Sequence, residues 1–145
     1  MFIVNVQGAI MKDGKFLLIK RGANEEHAPG ILALVGGKVD WEGASLDVLE
    51  ETLKREIDEE VGVAVEDEMH YVYSSSFVTD KGSPVVDVVF LCHHREGKAC
   101  NKSSEEVECV YWMTSEEILQ HPDSPPWLKE SFIRIEKMMG KNKLV

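Results

Sequence analysis

The sequence has few cysteines, no excess of positive charge and no long apolar run. Cys92, Cys100 and Cys109 form no C-x-x-C pair, and an odd number of cysteines is typical of a reducing compartment. We therefore expect ordinary thiols and a cytoplasmic protein. No apolar stretch reaches membrane-spanning length, and the apolar first residues carry no basic leader, so we expect neither a membrane partner nor a signal peptide.

Positive charge is scarce: 16 lysines and arginines face 26 acidic residues, for a net charge of -10. Such a chain repels nucleic-acid polymers and anionic membranes unless cations intervene, so a phosphate-bearing partner is expected to bind together with a metal ion. The length of 145 residues is that of one ordinary domain, and we expect residues 1–145 to form a single domain.

Alternating and β-rich runs indicate a sheet. The segments 2–11 and 15–22 flank the turn "KDG" and predict a hairpin, as do 69–80 and 84–94 around "KGS". Residues 22–45 are predicted to be loop, crossed by a short extended piece at 30–39, and 107–113 is predicted to be a further strand. Helices are predicted from Ser115, before the break at Pro122 to Pro126, and over 127–139. The pattern predicts a mixed sheet with helices on its faces.

One amphipathic helix is predicted from Leu46 to Gly62. Ser45 or Asp47 is a candidate cap for its start. Its apolar residues recur at spacings of three and four, as one stripe facing the core. These residues are Leu46, Leu49, Leu53, Ile57 and Val61.

The same helix carries Glu56, Glu59 and Glu60 at spacings that place them on one face. Each pair of like charges costs about 0.2–0.5 kcal/mol on an exposed helix. A hard divalent cation such as Mg²⁺ would reverse that sign, because it binds carboxylate oxygens and substrate phosphates. The alternative is a solvated face on which Lys54 and Arg55 pair with neighbouring acids.

The surroundings of this helix resemble the box motif of the Nudix family: Gly, five residues, Glu, seven residues, then Arg-Glu-apolar-x-Glu-Glu-x-Gly-apolar. The first half departs from it, because Asp47 stands where the family has Glu and nine residues rather than five separate it from Gly37. The second half matches at every specified position: Arg55, Glu56, Ile57, Glu59, Glu60, Gly62 and Val63.

The resemblance implies an α/β fold, the Nudix-type α/β/α sandwich with a central mixed β-sheet. It also implies hydrolysis of a pyrophosphate bond in a nucleoside diphosphate derivative with Mg²⁺ or Mn²⁺. Glu56, Glu59 and Glu60 carry over as metal ligands, one of them also as general base, and the main-chain carbonyl of Gly37 completes the shell. Arg55 carries over as the residue that orients a box glutamate.

Four further residues are candidates for the site. Arg21 and Lys38 flank the glycine-rich loop and are predicted to contact phosphate, although such side chains are commonly only solvated. Trp41, in the insertion, either stacks on the substrate or packs against the domain or a second subunit. Glu106 is either a further metal ligand or a solvated acid in the run "SSEEVE".

The expected partner is a small-molecule nucleotide, and a homodimer is left open. ADP-ribose hydrolases of the resembled family tend to carry a proline beyond the box and diadenosine-polyphosphate hydrolases a tyrosine. Residues 76–83, "SFVTDKGS", offer neither, which favours a nucleoside triphosphate, including damaged nucleotides. The alternatives are an ADP-ribose or nucleotide-sugar pyrophosphatase and a nucleotide-sensing module without catalysis.

Overall fold

The computed structural model describes residues 1–22 and 30–142. Over those ranges the chain forms one mixed sheet of eight strands and three helices. The strands are β1 (Ile3–Lys12), β2 (Lys15–Arg21), β3 (Leu32–Ala33), β4 (Val35–Lys38), β5 (Ala64–Val65), β6 (His70–Val78), β7 (Pro84–Glu96) and β8 (Val107–Met113). The helices are α1 (Val48–Val61), α2 (Ser115–Gln120) and α3 (Pro126–Asn142). Part of the loop predicted over 22–45 falls on 23–29, outside the described residues.

Both predicted hairpins are present. Strands β1 and β2 pair antiparallel around Asp13 and Gly14, whose φ angles are 51° and 76°. Positive φ at both central residues is the type I′ turn, whose twist matches that of the flanking strands. Strands β6 and β7 also pair antiparallel, and the amide of Thr79 donates to the carbonyl of Ser83 across their turn.

Strand β1 is the centre of the sheet. It runs parallel to β7 along nearly its whole length. On its other edge it pairs antiparallel with β4 through its first half and with β2 through its second half. The predicted extended piece over 30–39 therefore becomes β3 and β4, and the predicted strand over 107–113 is β8. Strand β5 was not predicted, because its two residues are too few to show an alternating pattern.

Helices cover both faces of the sheet. Leu53, Ile57 and Val61 of α1 are fully buried against one face. Leu128, Phe132 and Ile135 of α3 pack against the other face, together with Ile118 of α2. The predicted α/β/α sandwich is therefore confirmed, and α1 is held by the predicted stripe.

The start of α1 differs from the prediction. Helix α1 begins at Val48, and Leu46, which was predicted to belong to the apolar stripe, is 87% exposed. The reason is Asp47, whose left-handed backbone (φ 55°) turns the chain before the first helical residue. Asp47 occupies the N-cap position, but its side chain makes no capping hydrogen bond.

The two later helices begin near the predicted residues. Thr114 and Glu117 form a reciprocal capping box at the start of α2, with N···O distances of 3.0 and 3.2 Å. Helix α3 begins at Pro126, where a missing N–H costs nothing because the first helical amides have no partner within the helix.

Replacing Leu53 by alanine tests the packing of α1. We expect Leu53→Ala to lower the free energy of unfolding by about 2–5 kcal/mol, because it leaves a cavity under the helix. Urea denaturation measures this loss. The exposed Leu46 is the matched control, and Leu46→Ala should change stability by less than about 0.5 kcal/mol. Equal effects of the two substitutions would show that α1 is oriented differently.

Candidate active site

The last two turns of α1 bring Glu56 and Glu60 together beside strand β4. The helix ends at Gly62, whose left-handed backbone (φ 68°) lets its amide donate to the carbonyl of Asp58. Glu60, two residues earlier, is only 6% exposed, and its Oε2 atom is buried without a hydrogen-bond partner among the described residues. A buried carboxyl oxygen in this condition is unfavourable, so the site calls for a further partner.

Burial and neighbouring charge perturb both carboxyl groups. Burial, followed by the charges of Glu56 and Glu106, raises the pKa of Glu60 to about 9. Burial, followed by the charge of Glu59, also raises the pKa of Glu56. The interaction between the two side chains also raises the pKa of Glu60 and lowers that of Glu56, which favours the proton on Glu60. Without a cation, the two groups therefore behave as a pair that shares one proton.

Gly37 allows β4 to approach this pair. A Cβ atom at position 37 would lie 2.7 Å from Oε2 of Glu56, closer than real Cβ contacts allow. The absent side chain thus leaves the main chain of Gly37 directly against a box carboxylate. The sequence predicted Gly37 as a site residue by resemblance, and the structure gives the spatial reason for a glycine.

Arg55 connects three acids around the pair. Its Nη2 atom lies 3.4 Å from Oε1 of Glu56, its Nε 3.9 Å from Oε1 of Glu59, and its Nη1 3.8 Å from Oε1 of Glu42. This arrangement fits the predicted orienting role. Glu42 lies in the insertion, and the sequence analysis did not identify it, because its approach depends on the path of the loop.

Glu59 stands apart from the other two box glutamates. Its side chain is 58% exposed and faces Arg55. Over residues 1–22 and 30–142, no three His, Cys, Asp or Glu side chains are arranged as a ready set of metal ligands. The structure therefore brings Glu56 and Glu60 together and leaves Glu59 at the rim.

Glu106 and Arg21 influence Glu60 from the end of β2 and the loop before β8. The amide of Gly22 donates to the carbonyl of Glu106 at 3.1 Å, which joins the end of β2 to the loop before β8. The charge of Glu106 raises the pKa of Glu60, and the charge of Arg21 lowers it. Both predicted residues therefore lie within electrostatic range of Glu60.

Lys38 and Trp41 line a groove on the side of Arg55. The groove has a volume of about 740 Å³ and lies between the first residues of the chain, the insertion and the start of α1. Trp41 is 83% exposed there, so it does not pack into the core of its own domain. The neighbouring wall is apolar, with Phe2 and Leu46 also exposed.

Two features define the class of this protein. One is a mixed sheet between helices, and the other is a set of acidic side chains from one helix that lies against a glycine of an edge strand. A family model described as NUDIX domain matches residues 2–134 of the chain. The chain therefore belongs to the Nudix family. Comparison with curated protein sequences gave no significant match.

Solved structures agree with this assignment. The MutT Nudix hydrolase from Burkholderia pseudomallei is 27% identical, with a TM-score of 0.78, over 93% of this chain and 98% of that one. The MutT protein from Methanosarcina mazei Go1 is 25% identical, also with a TM-score of 0.78, over 94% of each chain. The Nudix domain of NrtR from Shewanella oneidensis, solved with ADP ribose, is 20% identical with a TM-score of 0.68 over 100% of this chain and 90% of that one, a likeness of fold alone.

The chain is thus a Nudix pyrophosphohydrolase that acts on nucleotide derivatives, and members of the family generally use divalent metal cations. Among the helices in the described ranges, none is long and apolar enough to cross a membrane.

The shared proton predicts how stability depends on pH in EDTA. Because the folded-state pKa of Glu60 (about 9) lies above its ordinary value of 4.5, the folded protein binds the extra proton between these values. The contribution of Glu60 to the free energy of unfolding is therefore fully present below about pH 4.5 and is lost as the pH rises toward 9. Glu60→Gln removes this dependence, so its melting temperature should exceed that of wild type by an amount that grows between pH 5 and 9. A constant difference, like that expected for the exposed control Glu66→Gln, would contradict the assigned proton.

Proposed function

We propose that the protein hydrolyses a pyrophosphate bond in a nucleoside triphosphate, normal or damaged, in a reaction that depends on Mg²⁺ or Mn²⁺. The observation that carries the proposal is the buried Glu60 beside the half-buried Glu56, with the Oε2 atom of Glu60 unpartnered among the described residues. A pair of this kind is satisfied by a divalent cation in place of the shared proton.

The donor set fits a hard cation. We assign Glu56, Glu59 and Glu60 as ligands, with the main-chain carbonyl of Gly37 and the carboxylate of Glu106 as further oxygen donors. The bound cation neutralises phosphate charge and lowers the pKa of a water molecule. The exposed position of Glu59 suits a ligand that turns inward when the site is loaded.

The remaining residues position the substrate and the ligands. Arg55 holds Glu56 and Glu59 through charge-assisted contacts and is a positioning residue. Arg21 and Lys38 supply positive charge for phosphate oxygens in a chain that is otherwise strongly acidic. One of the three box glutamates accepts the proton of the attacking water.

We further propose that residues 1–145 act as one catalytic domain with a small nucleotide as its partner. The proposal is supported by the single sheet, which carries apolar cores on both faces. The three free cysteines support a reducing, cytoplasmic setting. Hydrolysis of a panel of nucleoside triphosphates, ADP-ribose and nucleotide sugars identifies the substrate class.

The metal proposal predicts the behaviour of Glu60→Gln. Turnover of the preferred nucleotide should require added Mg²⁺ or Mn²⁺, and Glu60→Gln should reduce kcat by two orders of magnitude or more while the protein remains folded, because the amide is a poor metal ligand. The matched control, Glu66→Gln, should keep wild-type turnover. Full turnover of wild type in EDTA, or of the Glu60 variant, would overturn the assignment.

A second prediction concerns Trp41, which we propose stacks on a planar part of the substrate. Stacking is worth about 1–3 kcal/mol per base, so Trp41→Ala should raise KM about tenfold with little change in kcat. Leu46→Ala, in the same groove, is the control and should leave KM unchanged. An unchanged KM with a lower melting temperature for Trp41→Ala would show that Trp41 only packs.

A further inference from the structure

A row of polar side chains crosses four neighbouring strands on the sheet face that carries α3. In the strand registers, Asn5 of β1 is paired with Lys38 of β4 on one side and with Asp87 of β7 on the other. Asp87 is in turn paired with Ser75 of β6. Paired residues in a sheet project to the same face, so Lys38, Asn5, Asp87 and Ser75 form one continuous row.

Helix α3 leaves this end of the face uncovered. Its buried side chains pack against Ala9 and Met11, farther along β1 on the same face. Asn5 and Asp87 are half-buried, and Lys38 and Ser75 are exposed. The row is therefore exposed at both ends and partly accessible to solvent at its centre.

The centre of the row is a hydrogen bond in which Nδ2 of Asn5 donates to Oδ1 of Asp87 at 2.7 Å. Burial raises the pKa of Asp87, and the bond from Asn5 partly opposes that rise. Within the described ranges, the side chain of Asp87 has a hydrogen bond to Asn5 alone. A half-buried carboxyl group with one amide partner and no cation weakens the fold, so its chemistry points to an external partner.

The row begins next to the active site. Lys38 directly follows Gly37, whose missing side chain accommodates Glu56. Neighbouring strands lie about 4.8 Å apart, so Asn5 lies about 5 Å and Asp87 about 10 Å from β4. Gly37 and Lys38 project to opposite faces of the sheet, so a nucleoside whose phosphates lie at Gly37 and the box glutamates reaches the row over the edge of β4.

We propose that the Asn5–Asp87 pair binds hydrogen-bond donors of the nucleoside part of the substrate and so determines specificity. The inference rests on the proposed function. The free oxygen of Asp87 and the carbonyl oxygen of Asn5 are adjacent acceptors. Their ligand is a pair of neighbouring donors, which is supplied either by N–H groups of a base or by hydroxyl groups of a ribose.

A purely structural role is the alternative, in which the pair only ties β1 to β7. Two substitutions separate the roles. Asp87→Asn removes the carboxylate at constant shape. The double substitution Asn5→Asp with Asp87→Asn restores one carboxylate and one amide but moves the carboxylate from β7 to β1. It therefore keeps the hydrogen bond between the strands and changes the position of the acceptors that a ligand contacts.

The experiment measures kcat/KM for ATP, GTP, CTP and UTP and for their 2′-deoxy forms, with melting temperatures in parallel. Wild type should discriminate by tenfold or more among bases or between ribose and deoxyribose, since a site built around acceptors rejects ligands that lack the donors. Discrimination among bases identifies the base as the source, and discrimination between sugars identifies the ribose. In both the single and the double variant, the ratio of kcat/KM values between the preferred and the rejected nucleotides should fall at least tenfold. The melting temperature of the double variant should equal that of wild type.

The exposed Asp67 provides the control, and Asp67→Asn should keep wild-type selectivity. Two results would overturn the inference and leave the proposed function standing. One is unchanged selectivity in both Asn5–Asp87 variants, and the other is a wild type that discriminates neither among bases nor between ribose and deoxyribose. If wild type hydrolyses none of the nucleotides, the proposed function fails. In that case the dissociation constants of the same nucleotides are measured for wild type and the two pair variants. Tenfold selectivity in wild type that both variants lose supports the inference, and equal selectivity in all three proteins overturns it.

Discussion

The contact between the carboxyl groups of Glu56 and Glu60 is the constraint on which the site depends. Two acids that are largely removed from water cannot both be ionised without a counter-charge, and the pair responds by retaining a proton on Glu60. The last turns of α1 place the acids one turn apart, and the packing of α1 against the sheet buries Glu60 and half-buries Glu56. The same packing that stabilises the fold thus raises the cost of ionising both acids, which is the cost that a cation would relieve.

The stability of α1 and the chemistry of its acids come from separate parts of one helix. Leu53, Ile57 and Val61 hold the helix against the sheet, and they lie on a different stripe from Glu56 and Glu59. The edge strand β4 supplies the second half of the arrangement, because Gly37 gives the close approach that a side chain would prevent. Arg55 then joins the helix to the insertion through Glu42.

The two faces of the sheet differ in chemistry next to β4. On the side of α1, Trp41 and Arg55 line a groove with apolar walls. On the side of α3, Asn5 and Asp87 present hydrogen-bonding groups. The α1 side of β4 therefore offers an exposed aromatic ring, and the α3 side offers hydrogen-bonding groups.

The sequence by itself determined the features that depend on neighbours along the chain: the Asp13–Gly14 turn, the stripe of α1 from Leu49 to Val61, and the box from Arg55 to Val63. It did not determine that Asp47 would turn the chain away from Leu46, because backbone conformation there is set by the loop that precedes it. Only the tertiary structure decided that Glu106 lies within electrostatic range of Glu60, that Glu42 reaches Arg55 and that Asn5 bonds Asp87, 82 residues away. These contacts follow from loop paths and strand registers, which depend on how whole elements pack and leave no periodic signal in the chain.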